Sequence, residues 1–195
     1  MSASSNKTFG GYPPFATFVN VKDLFGERTK DIHRAVLAGL PTYADVIAKA
    51  SGNALHAATQ EKLLRTQINL IFEKSVPVAE FLTVPSGNIV GSAFWGLLPF
   101  ARGSVHMSSN NISSPPAINP NFFMLDWDQE LQVAAARLAR KSLSLAPLNS
   151  VINAEITPGA AVPVNASNEV WMRWLKDNCT LVHLYLVEST LTRAD

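Results

Sequence analysis

The sequence is short of what several functional classes require. Among 195 residues it has one cysteine, Cys179, which excludes an internal disulfide framework and any cysteine-based metal cluster. That residue is expected to be either a small buried hydrophobe or a partly exposed free thiol. No apolar run approaches the roughly 18–20 residues of a membrane span. The formal net charge is only +1, so neither nucleic acid nor a membrane is an expected partner.

Motifs that mark nucleotide sites are also missing. No Gly-x-Gly-x-x-Gly follows a strand, so the usual fingerprint of a dinucleotide-binding βαβ unit is absent. There is no P-loop and no His-Glu-x-x-His, and the lack of Gly-x-Ser-x-Gly weakens a hydrolase interpretation. The N-terminal residues 1–7 are polar and show no signal peptide. Four Asn-x-Ser/Thr sequons, at Asn6, Asn111, Asn165 and Asn178, nevertheless weakly favour a secretory parent protein.

What the chain does have is enough apolar material for a core. Hydrophobic residues make up 47% of it, and its length suits one domain. Spacing and capping signals predict helices at residues 31–39, 42–50, 59–74, 126–145 and 169–177. Pro41 is expected to begin the second of these helices, and Asp126 to cap the fourth.

Apolar segments bounded by Gly and Pro predict the strands. They are expected at residues 16–20, 76–84, 89–98, 151–156 and 180–187, with the first at a sheet edge and a turn at residues 85–88. Strands joined by such a turn pair antiparallel. The fold class is therefore α+β, an antiparallel sheet flanked by helices. Residues 1–187 are expected to form one domain, followed by a frayed tail at 188–195.

The stretch from Leu97 to Phe123 organises the chain. An apolar run ends at Pro99-Phe100-Ala101-Arg102-Gly103, and a short alternating strand follows with Val105 and Met107 on one face. A loop with three prolines then leads to Phe122 and Phe123, and these prolines prevent a helix. From the residues alone, this is a strand, an ordered loop and an anchor in a core.

The same stretch, LLPFARGSVHMSSNNISSPPAINPNFF, resembles the segment that opens the C-terminal half of glucose–methanol–choline (GMC) flavin oxidoreductases. The closest likeness is to the branch of glucose oxidase and FAD-dependent glucose dehydrogenase. SAFWGLLPF, FFMLDWDQELQVAAARLARKSL, EITPGAAV and NEVWMRWLKDN resemble further family segments, so the likeness runs from about Phe15 to His183. It implies a GMC-type substrate-binding domain without the FAD-binding domain, from a secreted parent.

The resemblance also implies site residues. SAFWGLLPF is similar to the family strand whose tryptophan faces the sugar pocket, which assigns substrate contact to Trp95 with Phe94 beside it. The family's proton-accepting histidine follows the last helix in Arg-x-Asn-x-His-Pro-x-Gly-Thr, and His183 matches it by distance from that helix. The surrounding motif departs from the family, because Cys179 and Leu181 replace the Arg and Asn and the Pro, Gly and Thr are missing.

Without the resemblance, the sequence does not decide the roles of the four histidines. His33 and His56 lie in polar contexts expected at the surface, and His106 is expected to have a structural role. His183 lies between apolar residues, where it could be a satisfied core residue or a general base.

The leading hypothesis is a partial flavin oxidoreductase that acts on the CH–OH group of a sugar or other alcohol. In the full enzyme, hydride would pass to FAD. The chain alone is expected to retain no FAD and to be inactive, with a separate FAD domain as its missing partner. One alternative is a non-enzymatic carbohydrate- or protein-binding module with a cleft lined by Trp95 and Phe94. Another is an inactive product whose exposed domain interface makes it form homo-oligomers.

Overall fold

The computed structural model describes residues 2–3, 14–86 and 88–179. The chain divides into two compact units, Met1–Thr157 and Pro158–Asp195. The first unit contains the sheet and four of the described helices. The second is represented by residues 158–179. Within the described residues, no helix is long and apolar enough to span a membrane.

The first unit is built on an antiparallel sheet, as the sequence predicts. The strands are β1 (Ser2–Ala3), β2 (Phe15–Val19), β3 (Ala79–Ser86), β4 (Ile89–Gly96), β5 (Ser104–His106), β6 (Ala117–Asn119) and β7 (Ile152–Ala154). The strand order of the sheet is β2-β3-β4-β1-β7, and a separate two-stranded ribbon pairs β5 with β6. Every strand pair in the described part of the chain is antiparallel.

The hairpin β3–β4 is the centre of this sheet. Its register runs without a shift from Ser86 opposite Ile89 to Ala79 opposite Gly96. β2 lies at the sheet edge, as predicted, and pairs with β3 along its whole length. The predicted turn was too wide, because Pro85 belongs to β3 and pairs with Val90. Successive side chains in such a ladder alternate between the two faces of the sheet.

The helices pack around a continuous apolar core. Phe100 and Trp127 are buried at its centre with their rings stacked 5.3 Å apart, and Phe72 lies 5.7 Å from Trp127. A smaller cluster joins the sheet to the fourth helix. The helices are α1 (Val21–Phe25), α2 (Thr29–Ala50), α3 (Ala57–Ile68), which continues as a π-helical turn at Asn69–Glu73, and α4 (Asp126–Leu143).

The prediction of two helices separated at Pro41 is wrong. α2 is one helix that contains Pro41. Its buried residues continue at helical spacing on both sides of the proline, including Val36, Leu40, Ala44 and Ile47. Pro41 itself is exposed, so burial of this stripe outweighs the hydrogen bond that the proline removes.

Two other helix starts also differ from the prediction. α3 begins at Ala57 rather than Thr59. α4 has Leu125 at its N-cap without a side-chain hydrogen bond, so Asp126 is its first residue and not its cap. α4 therefore starts at a buried apolar residue, Leu125, and not at a polar cap.

The second unit contains a 3₁₀ turn at Gly159–Ala161 and helix α5 (Asn168–Asn178). Trp171 and Leu175 are buried, as predicted, whereas Val170 and Trp174 are half-buried. Trp174 meets Trp171 edge-on, with 6.3 Å between ring centroids. Cys179 is exposed at the end of α5, so it is not a buried hydrophobe. The predicted strand at residues 180–187 and the tail at 188–195 lie outside the described residues.

Candidate functional site

The two faces of the sheet have different surroundings. On one face, Ala79 and Phe81 are buried against Ala135 and Ala139 of α4. On the other face, residues of β2, β3 and β4 are exposed or half-buried. We call this second surface the exposed face; it comprises Phe18, Glu80, Leu82, Val84, Ile89, Ala93 and Trp95.

Phe94 and Trp95 lie on opposite faces. Phe94 pairs with Phe81, with ring centroids 6.0 Å apart, and joins the cluster beneath α4. Trp95 follows it in the strand and therefore projects to the exposed face. The structure thus does not bring these two residues together, and a single cleft lined by both is not formed. Trp95 alone of the pair lies on the exposed face.

Trp95 is held beside a carboxylate on the exposed face. Glu80 is its cross-strand partner, and the indole Nε1 donates to Glu80 Oε2 at 3.1 Å. Both side chains are half-buried. Phe18 lies on the other side of Glu80 in the same cross-strand row and is 56% exposed. The surface therefore combines aromatic rings with one negative charge.

The Arg-Gly corner after β4 is fixed by the side chain of Arg102. Its Nη1 donates to the carbonyls of Pro99, Phe100 and Ala101 at 3.0–3.1 Å. Its Nη2 donates to Gln67 Oε1 of α3 at 2.6 Å. The guanidinium thereby satisfies three successive carbonyl groups that no strand pairs. The segment that carries much of the sequence resemblance thus has a scaffolding role.

A buried carboxylate holds the same corner from the other side. Asp128 is 6% exposed, and its two oxygens accept the backbone N–H groups of Phe100 at 2.7 Å and Ala101 at 2.8 Å. Burial raises the pKa of Asp128, while these two hydrogen bonds and the Arg102 charge act in the opposite direction. Burial, reinforced by the negative charges of α4, also raises the pKa of Tyr43.

The loop after β5 returns to this corner. Asn121 Nδ2 donates to the carbonyl of Arg102 at 2.9 Å, and Asn121 adopts a positive φ of 51°. Phe123 also has a positive φ, of 59°, which is costly for an aromatic residue. Gly103 packs so closely that a Cβ there would lie 2.7 Å from the Asn119 carbonyl oxygen. The predicted loop is present, but the prediction that Phe122 and Phe123 anchor it in a core is wrong, because Phe122 is 55% exposed and Phe123 is only half-buried. The hydrogen bond from the Asn121 side chain to the Arg102 corner holds the loop instead.

The histidines do not form a site among the described residues. His33 stacks on Phe72 at 4.4 Å with its Nδ1 3.9 Å from Glu73, so it is half-buried rather than at the surface. His56 and His106 are exposed. His183 lies outside the described residues. Across residues 14–86 and 88–179, no group of three or more His, Cys, Asp or Glu side chains could hold a metal.

Sequence reasoning missed Glu80 and Asp128. Glu80 could have been found from the turn, because pairing Ser86 with Ile89 places Glu80 opposite Trp95. Asp128 carried a weaker signal as an acidic residue in the first turn of α4. Its partners lie 27 and 28 residues away, and no local pattern predicts them.

The described residues do not fit a flavin dinucleotide. Such cofactors are held by a parallel βαβ unit with a Gly-rich turn at a helix N-terminus. Here the described strands pair only antiparallel, and the sequence has no Gly-x-Gly-x-x-Gly. The exposed face can stack on a ligand and accept a hydrogen bond, but it cannot cradle a pyrophosphate.

Comparisons with known proteins agree with this architecture. No protein-family model matches the sequence. The glucose oxidase-like protein fsoC of Humicola fuscoatra is 33% identical over 165 residues, which cover 84% of this chain and 28% of that protein. Glucose oxidase 1 of Penicillium expansum is 28% identical over 84% of this chain and 26% of its own length. The chain therefore spans just over a quarter of these relatives.

Solved structures share the fold. A fungal aryl-alcohol oxidase matches 82% of this chain with a TM-score of 0.66 and 22% identity, over 26% of its own length. An FAD-dependent oxidoreductase from Chaetomium thermophilum matches 83% of this chain with a TM-score of 0.59 and 15% identity, also over 26% of its own length.

A further sequence relative names the wider family. A GMC oxidoreductase family protein of Malassezia sympodialis is 30% identical over 58% of this chain and 18% of its own length. Together with the two glucose oxidase-type relatives, it shows that the chain is homologous to a segment of the GMC oxidoreductases of the glucose oxidase type.

Proposed function

We propose that this chain is the substrate-side part of a flavin-dependent oxidoreductase that acts on the CH–OH group of a sugar or other alcohol. The observation that carries the proposal is the two-sided sheet. One face is buried against α4, while the other presents Trp95 and Glu80 on an exposed apolar surface. Homology to glucose oxidase-like proteins supports the same assignment.

In this proposal the chain's own residues bind and orient the alcohol. The indole face of Trp95 packs on the carbon skeleton, and Leu82 beside it excludes water. The Glu80 carboxylate can accept a hydrogen bond from a hydroxyl group. His183 would accept the alcohol proton, as its family resemblance implies, and bound FAD in a whole enzyme would supply the hydride acceptor.

We expect the purified chain to retain no stoichiometric flavin, because the described residues lack a pyrophosphate cradle. The chain is incubated with excess FAD, desalted, and scanned across the flavin absorption bands. It should also show no alcohol oxidation with an artificial electron acceptor. The FAD-dependent oxidoreductase from Chaetomium thermophilum, passed through the same column, serves as the control. Stoichiometric flavin in the desalted chain would refute the proposal.

A further inference from the structure

One row of side chains across the exposed face gives a more specific account of the site that the proposed function uses. Glu80 lies between two aromatic residues, Phe18 on β2 and Trp95 on β4. Directly opposed residues in an antiparallel pair have Cβ atoms roughly 4.5–5.5 Å apart. A half-buried carboxylate in an otherwise apolar row loses part of its hydration, and a hydrogen bond can offset that cost.

The donor of that hydrogen bond is the indole N–H of Trp95. The 3.1 Å bond to Glu80 Oε2 uses the single polar hydrogen that a tryptophan side chain has. A hydrogen bond to an ionised carboxylate is about twice as strong as a neutral one. The Glu80 carboxylate therefore restrains the orientation of the indole.

We propose, on the basis of the function above, that Glu80 is a positioning and specificity-determining residue. It fixes Trp95 as a stacking surface and offers its second oxygen to a ligand hydroxyl. With the N–H engaged by Glu80, the remaining atoms of the Trp95 ring are carbon. Within residues 14–86 and 88–179, Glu80 Oε1 makes no hydrogen bond. The ligand class is a cyclic alcohol with a C–H face for the ring and a hydroxyl donor for the carboxylate.

The indole N–H of Trp95 reports directly on this role. In ¹⁵N–¹H spectra of the 195-residue chain, the indole signal that disappears in Trp95→Phe is assigned to Trp95. We expect Glu80→Ala to raise the solvent exchange rate of that N–H by about tenfold, since a charge-assisted bond is lost. Glu80→Gln should largely restore protection, because its amide oxygen can still accept. Glu80→Asp keeps the charge but withdraws it by one methylene, so exchange should rise again.

Glu61→Ala is the matched control, because Glu61 pairs with Arg65 on the surface of α3 and should leave the Trp95 signal unchanged. Far-UV circular dichroism tests whether each variant is folded. If Glu80→Ala does not fold, the exchange rate of the Trp95 indole N–H in Glu80→Asp is used in its place. An exchange rate within twofold of wild type in the folded variant would overturn the positioning role.

The ligand part is tested on the same signal. D-Glucose and benzyl alcohol are titrated as probes, and at least one should shift the Trp95 indole signal saturably, with about tenfold weaker binding in Glu80→Ala. A wild-type signal that neither probe moves would overturn the ligand part. The exchange measurement needs neither flavin nor ligand. A chain that retained flavin would therefore contradict the proposed function alone, and the exchange rate would still decide the role of Glu80.

Discussion

Replacing Asp128 with alanine should lower the free energy of unfolding by about 2–5 kcal/mol. The carboxylate accepts the backbone N–H groups of Phe100 and Ala101, and the Phe100 side chain is fully buried. Without Asp128, both donors lose their partner in the interior, and each unsatisfied group costs on the order of 1–3 kcal/mol. Urea denaturation followed by circular dichroism measures the change.

Asp126→Ala is the matched control for this variant. Asp126 is exposed in the same first turn of α4, so its loss removes only an interaction with the helix dipole, about 0.3–1 kcal/mol. If the two variants lost equal stability, the helix dipole would explain both, and the role of the buried hydrogen bonds would be contradicted.

The pH dependence of stability gives a second readout at Asp128. Because burial raises its pKa in the folded protein, the folded state holds this proton more tightly than the unfolded chain does. The raised pKa therefore adds its full contribution to the free energy of unfolding below about pH 4, the ordinary range of an aspartate pKa. That contribution is lost as the pH rises through the pKa of Asp128 in the folded state. As the pH rises, the free energy of unfolding of the wild type should therefore fall relative to that of Asp128→Asn. A difference that is constant from pH 3 to 7 would show that the folded and unfolded pKa values are equal.

Substituting Gly103 with alanine should destabilise the protein by about 1–3 kcal/mol. A Cβ at this position would lie 2.7 Å from the Asn119 carbonyl oxygen and 2.9 Å from Pro120 Cα. Both are backbone atoms of the returning loop, which Asn121 ties to the Arg102 carbonyl, so neither can move without displacing the corner. Thermal and urea unfolding both report the loss.

Gly91→Ala is the comparison for Gly103→Ala. A Cβ at Gly91 would meet no atom within 4 Å, and alanine restricts the unfolded chain more than glycine, which ordinarily stabilises by about 0.4–1 kcal/mol. The two substitutions should thus have opposite signs. A stabilising Gly103→Ala would show that the loop yields readily, contrary to the packing described above.

The sequence predicted what depends on local pattern. The hairpin β3–β4, the long helix α4 and the non-helical loop at residues 108–120 all follow from periodicity and from Gly and Pro positions. The expected anchor of that loop in the core does not, since Phe122 is exposed. The predicted helix boundary at Pro41 was wrong. The low helix propensity of proline favoured a break in the helix, but burial of Leu40 and Ala44 keeps α2 continuous. Tertiary packing overrides a local rule at such a position.

The candidate site was predicted only in part. Trp95 was assigned through resemblance, and the structure places it on the exposed face. Phe94 was assigned by adjacency, although neighbours in a strand point to opposite faces. The partners of Arg102 and Asp128 lie up to 35 residues away in sequence, and a single sequence holds no signal for such long-range hydrogen bonds.

The alternation of Phe94 and Trp95 also limits how this hairpin can change during evolution. The eight residue pairs of β3 and β4 form one unbroken ladder, so a single-residue insertion or deletion inside β4 would exchange the two aromatics between core and surface. Either change before Phe94 would turn the indole toward α4, and it would leave Phe94 (insertion) or Gly96 (deletion) opposite Glu80, without a donor for the carboxylate. We therefore expect relatives of this hairpin to keep the length of β4 and to vary within it by substitution.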